Sequence, residues 1–173
     1  MCYNENMQNR IKLAIFALVL AVVSFNGVAL AISDEQRVAI KDHCAIIKDN
    51  LKDLQRRDSR TRVYLGRYYE ILYNKFIVPL NIRLVENNLS GLDFINNQNE
   101  FNKARSTFVT EYVEYQRVLE DLVGTDCKTD PERFYDKLVM VREKRAAVAG
   151  DVIKLRKLAA KHVSLVKELE VKL

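Results

Sequence analysis

Few residues in this chain combine types and spacings that could do chemistry. Cys44 and Cys127 are the first pair. They are far apart and not in a C-x-x-C spacing, which argues against thiol exchange, and without matched His or acidic ligands they make a poor zinc site. A third cysteine, Cys2, precedes a long apolar run. If Cys2 is removed by processing, two cysteines remain and an intramolecular disulfide is the expectation. Two free buried thiols or an intermolecular bridge are the alternatives. The closed loop would be long, and chain entropy sets its stabilisation at about 4 kcal/mol. The second set is Gln55 to Tyr73, QRRDSRTRVYLGRYYEILY, with five Arg and four Tyr around Gly66. Cations interleaved with aromatic rings can hold polyanions or stack on sugars. Arg56, Arg57, Arg60, Arg62, Tyr64, Arg67 and Tyr69 are the candidate binding surface. The competing reading places the Tyr residues beside the core and pairs the Arg residues with Glu on neighbouring helices.

His43 and His162 have no H-x-x-x-H or Glu-x-x-His partner, so neither reads as a metal ligand, and His162 reads as a core residue. No Ser, His and Asp grouping, G-x-S-x-G elbow or phosphate-cradling glycine loop is present. No catalytic, cofactor-binding or metal-binding residue is therefore assigned, no cofactor is expected, and the chain is not read as an enzyme.

The elements that must position these residues begin with an export signal. Arg10 and Lys12 precede the apolar run Leu13 to Phe25, Asn26 and Gly27 break it, and Val28-Ala29-Leu30-Ala31 supplies small residues for cleavage after Ala31. Basic, apolar, then small is the order of a secretory signal peptide. Residues 1–31 are read as that signal, with an uncleaved N-terminal anchor as the alternative, and residues 32–173 as one helical domain. An exported chain with a net charge of +5 is a weak match for anionic envelope polymers or anionic lipid, and nucleic acid is not an expected partner.

With 173 residues, 49% apolar, but only 5 Gly and 2 Pro, the composition suits a few long helices better than many strands and turns. Ser33-Asp34-Glu35-Gln36 has capping-box form. After it, Ile40, Cys44, Ile47, Leu51, Leu54, Asp58, Thr61, Leu65, Tyr68 and Leu72 recur in steps of four and three, the seam of a coiled coil. Pro79 should end or kink this helix, and Asn87 to Gly91 should turn. A second helix, capped near Ser90 or Asp93, carries Phe101, Ala104 or Arg105, Phe108, Tyr112, Tyr115, Leu119 and Leu122, with Gly124 as terminator. Its early part is polar, and the Asn-rich corner from Asn87 to Asn102 reads as a helix-turn or a hydrogen-bonding contact surface. The third helix opens with Asp130 as N-cap and Pro131 at N1, and its seam runs from Phe134 through Leu138, Val141, Arg145, Val148, Val152, Leu155, Ala159 and His162 to the end.

Three helices, each apolar on one face, must bury those faces together. The expected fold is all-α: an antiparallel up-down-up three-helix bundle of long coiled-coil-like helices. A second helix descending about 48 Å from a break at Pro79 would bring Cys127 beside Cys44. A first helix unbroken to Leu89 would leave them roughly 20 Å apart. Aligned this way, the polar interruptions Asp58 and Arg145 share a layer. They are expected to form a buried ion pair completed by Tyr112 or Thr61, since an unpaired buried charge is costly. The alternative is that Arg145 snorkels out while Asp58 faces water. Gly66 should mark close helix approach or a bend, with Gly150 at a similar height.

The segments DSRTRVYLGRYYE from Asp58, FIVPLNIRLVENNLS, TDCKTDPERFYDKL and VREKR resemble a group of uncharacterised small exported helical proteins of reduced-genome bacteria. The resemblance covers nearly all of the part after the signal. It implies a bacterial exported protein and adds no activity and no site residue. The function expected from the whole is a non-enzymatic structural or protein-interaction module of the cell envelope or surface, periplasmic, cell-surface or secreted. It would bind a protein partner or itself and could be membrane-tethered. The alternative is an extracytoplasmic binder of a small ligand or polyanion through the Arg/Tyr-rich stretch.

Overall fold

The computed structural model describes residues 32–171 except Ser90, and the described residues are helical with no strand. The expected signal peptide, Cys2 within it, the Ser90 cap and the seam position Leu173 lie outside the described residues. The elements are α1 (Asp34–Asp42), α2 (Cys44–Ile71), a π-helical segment (Leu72–Ile77), α3 (Val78–Glu86), α4 (Leu92–Gly124) and α5 (Pro131–Glu170).

α1 opens with Asp34 and Glu35 in its first turn, where carboxylates meet the positive helix end. His43 separates it from α2 with φ −103° and ψ 13°. The backbone ladder nevertheless crosses the break, through the His43 amide to Ala39 and the Ile47 amide to His43.

Pro79 does not end this helical track, the first of the two outcomes expected of it; the α-helix is interrupted before it instead. The ladder widens just before it: the Val78 amide donates to the Tyr73 carbonyl, five residues back. Proline has no amide to donate, and its ring crowds the carbonyl four residues earlier. A stretch of i→i+5 bonding relieves both at once, and Pro79 then sits in the first turn of α3. The track stops where Asn88 turns left-handed, at φ 56°. The Leu89 amide bonds the Leu84 carbonyl and the Asn88 amide that of Val85, the two bonds of a Schellman end.

α4 is capped by extended Gly91, with Asp93 inside its first turn and not at the cap. Gly124 is its last helical residue and not its terminator. Thr125 ends the helix in extended backbone, and its hydroxyl donates to the Asp121 carbonyl. α5 starts as the sequence predicts, with Pro131 at its start and the Asp130 carboxylate accepting from the Arg133 amide at 3.1 Å.

Contacts between α2–α3 and α4 fall at decreasing positions on one as they rise on the other: Asn81 with Phe94 and Gln98, Tyr73 with Phe101, Tyr69 with Phe108, Asp58 with Tyr115, Gln55 with Glu120. α4 and α5 follow the same rule, with Asn97 on Leu158, Glu111 on Lys144 and Asp121 on Lys137. The core joins Tyr69, Ile77, Phe101, Ala104, Phe108, Leu155 and Leu158. Each large apolar side chain so buried contributes about 1.5–3 kcal/mol.

Apart from exposed Thr61, the expected seam holds through Leu65 and then drifts. Tyr69 is buried, at 1% exposure, where Tyr68 was expected. A helix of 3.6 residues per turn slips about 20° per heptad against a strict seven-residue repeat, and a step of four from Leu65 restores the inward face. Gly66 and Gly150 do not mark close approach either: a Cβ at each would have nothing within 4 Å.

Cys44 and Cys127 form a disulfide with a Cα separation of 5.6 Å. It needs no break at Pro79, so the expected link between the two is overturned. After Gly124 the chain leaves the helix through extended Thr125 and reaches Cys127 in a turn.

Candidate functional site

α2 carries most of the candidate residues, and a cleft opens on each side of it. Towards α5 lies a cleft of about 370 Å³ floored by Leu65, Phe108, Val148 and Val152. Asp58 and Arg145 meet at its end. Arg145 Nε lies 2.7 Å from Asp58 Oδ2 and Nη2 lies 3.2 Å from Oδ1. The Tyr115 hydroxyl donates to the same carboxylate at 2.7 Å. Partial burial alone would raise the Asp58 carboxyl, but the hydrogen bonds from Arg145 and Tyr115 and the charges of Arg145 and Arg57 hold it below the ordinary carboxylate range. Burial, and then the hydrogen bond to Asp58, push the Tyr115 phenol above its ordinary value.

Two parts of the expected layer are corrected. Tyr112 does not complete it. Its hydroxyl faces Ser59 at 3.4 Å and accepts from Gln116 at 2.8 Å, while Tyr115, one turn further down α4, takes the carboxylate. Nor is the layer buried: the side chains of Asp58 and Arg145 are 18% and 52% exposed, so the pair closes the mouth of a cleft. Thr61 bonds its own helix, donating to the Arg57 carbonyl.

The candidate binding surface is split three ways. Arg57, Arg60 and Tyr64 are exposed on the outer flank of α2, Tyr64 at 70%, and exposed Arg67 stands where that flank meets the groove towards α4. Arg56 is also exposed but pairs with Asp53. Arg62 turns inward, its guanidinium 5.6 Å above the Tyr112 ring. Tyr69 is not on the surface at all. It packs edge-on to Phe101 and Phe108, because the drifting seam carries it into the core.

On the other side of α2, facing α4, lies a larger groove of about 790 Å³. Arg62, Gly66, Arg67 and Glu70 line one wall, and Asn102, Arg105, Ser106 and Thr110 the other. Arg105 lies with its guanidinium 4.7 Å above the Tyr73 ring. The sequence weighed Arg105 only as a seam residue. Its stacking partner lies on another element, so no local pattern pointed to it.

A separate polar cluster sits at the Pro79 end. Asn97 is fully buried, donating to the Leu158 carbonyl at 3.3 Å and lying 3.5 Å from His162 Nδ1. His162 packs edge-on to Phe94, and burial lowers its pKa. Asn97 was masked in sequence by its polar neighbours, yet its spacing of four before Phe101 placed it on the core face. Among the described residues, no group of three His, Cys, Asp or Glu could hold a metal ion, and no helix is long and apolar enough to cross a membrane.

No protein-family model, no curated protein and no solved structure matches the chain. The described residues hold cations over aromatic rings, an ion pair across helices, and two clefts beside one helix.

Proposed function

We propose that this chain is an exported, non-enzymatic module of the cell envelope or surface, an up-down-up three-helix bundle that acts by binding a protein partner or a second copy of itself. The observation that carries this reading is the outer flank of α2. Tyr64, Tyr68 and Ile71 follow one another at helical spacing of four and three, all exposed, between the cations Arg57, Arg60 and Arg67. Tyr and Arg are the residue types that most often anchor protein interfaces. Export is supported by the basic, apolar, small-residue order of residues 10–31. It is supported too by the Cys44–Cys127 disulfide, a bond that persists in oxidising compartments.

The test is expression of the full chain in a bacterial host, followed by fractionation and N-terminal sequencing of the envelope product. The expected product begins at Ile32. Crosslinking is then compared between wild type and the double variant Tyr64→Ala, Tyr68→Ala. A crosslinked species lost in the double variant supports the interaction face, and identical crosslinking overturns it. A product retained in the cytoplasm overturns export.

A second reading, an extracytoplasmic binder of a small ligand or polyanion through the Arg/Tyr-rich stretch, is favoured by the clefts that flank α2.

A further inference from the structure

We propose that the groove between α2 and α4 is a binding site for an oligoanionic phosphate ligand, held by Arg62, Arg67 and Arg105. The inference rests on the ligand-binding reading above and names its site and ligand class.

The groove is rich in donors and poor in acceptors. Three guanidinium groups line it against one carboxylate, Glu70. The Asn102 amide and the hydroxyls of Ser106 and Thr110 add short polar groups on the α4 wall. Phosphate oxygens accept several hydrogen bonds at once, and planar guanidinium matches them in pairs. Two of the three cations are already set in place. Arg62 of α2 lies over Tyr112 of α4, and Arg105 of α4 lies over Tyr73 at the end of the α2 track. Each is stacked on a ring from the facing helical track, and Arg62 reaches both clefts, since Tyr112 beneath it lines the one towards α5. A guanidinium stacked by its face keeps its N–H edge off the ring, and one edge donor of Arg105 bonds Asn102 Oδ1 at 3.2 Å; holding the group in advance lowers the entropy lost on binding.

Arg62 Nε is buried and has no hydrogen-bond partner among the described residues. That is an unusual state for a charged donor, and a bound oxyanion would relieve it. A volume of about 790 Å³ is also far more than one phosphate fills. The site therefore takes either a linear polyphosphate or a phosphorylated headgroup whose organic part rests on Val63, Phe108 and Val109.

Gly66 makes the groove testable without touching a charge. It lines the α2 wall, and a Cβ built there meets nothing within 4 Å. A larger side chain at that position occupies the groove and raises helix propensity, so folding is kept.

The experiment is calorimetric titration of the full chain, in a neutral detergent at low ionic strength. The probes are sodium tripolyphosphate and, separately, monomeric dihexanoyl phosphatidylglycerol. Saturable binding of either is expected, and which one binds separates a free phosphate from a lipid headgroup. Arg62→Gln and Arg105→Gln should each weaken it about tenfold, the loss of one charge-assisted hydrogen bond. Gly66→Leu should abolish it with every charge retained. Arg142→Gln, exposed on α5 and outside the groove, should leave it unchanged, and circular dichroism checks that each variant is folded. Wild-type binding by Gly66→Leu overturns the groove while leaving a diffuse ligand-binding role standing. Absence of saturable binding to both probes overturns the groove and the ligand-binding reading together.

Discussion

Tyr115 and Arg145 reach the same oxygen of Asp58, each at 2.7 Å, from two different helices. The carboxylate is thus the shared partner of a buried phenol and a half-exposed guanidinium, and the two depend on it unequally. Asp58→Ala leaves the Tyr115 hydroxyl without its acceptor in a residue 1% exposed, which costs about 1–3 kcal/mol. Arg145→Ala removes a cation with ready access to water and leaves the Tyr115 bond intact, costing less than about 1 kcal/mol. Urea denaturation of the two variants measures both. Equal losses would show that the ion pair, not the phenol, holds the layer.

Acid should loosen the Pro79 end before the rest. Burial lowers the His162 pKa from its usual 6.5. A group whose folded pKa is depressed favours folding in its deprotonated form. The full contribution is present above pH 6.5 and declines as pH falls from there towards the folded value. Asn97 sharpens this, because its amide faces His162 Nδ1 and a protonated ring could no longer accept there. Thermal melts from pH 7.5 to pH 5 should show a falling midpoint in wild type and a flatter profile in His162→Leu. Parallel profiles would exclude His162 as the group responsible.

Reduction should destabilise the chain strongly. The disulfide spans a sequence separation of 83 residues, and closing a loop of that size stabilises by about 4 kcal/mol. Wild type in reductant and the double variant Cys44→Ser, Cys127→Ser should show the same lowered denaturation midpoint. A midpoint unmoved by reductant would mean that the bond contributes little to the folded state.

Gly66→Ala and Gly150→Ala should each stabilise by up to about 1 kcal/mol, because both sites are mid-helix with open space at the Cβ. The sites lie on different helices and share no partner, so the gains should add. Guanidinium denaturation of the single and double variants checks this. A loss in either single variant would mean that a neighbour packs closely there after all.

Two adjacent tyrosines should behave in opposite ways. Tyr69→Ala removes a core ring and should cost about 3–5 kcal/mol, the range for large aromatic truncations. Tyr68→Ala removes a ring that is 48% exposed and should cost less than about 1 kcal/mol. The reverse order would restore the strict heptad seam.

The sequence carried α5 almost completely, because forty residues of unbroken steps of four and three leave one inward face and Asp130-Pro131 marks its start. The all-helical class was legible for similar reasons, whereas the cysteine pairing was legible from the cysteine count alone, its helix-length argument being overturned. What escaped depended on accumulated geometry. The exchange of Tyr68 for Tyr69 comes from a slip of about 10° per turn, which no single residue announces. The exchange of Tyr112 for Tyr115 comes from the register of α4 against α2. Pro79 misled only as a stop, because its two local penalties are real and the remedy, a widened ladder over Leu72–Ile77, is not written in any one residue. The groove was invisible because Arg105 and Tyr73 meet only once α2 and α4 are side by side.

The disulfide also has a topological consequence. Cys44 is the first residue of α2, and Cys127 lies three residues past the end of α4. Everything between them is therefore a closed covalent ring, with α1 and α5 as its two tails. A protease that cuts the exposed turn at Asn87 to Leu89 opens the ring but releases nothing. The nick stays silent on a non-reducing gel, and only reduction would let the two halves part.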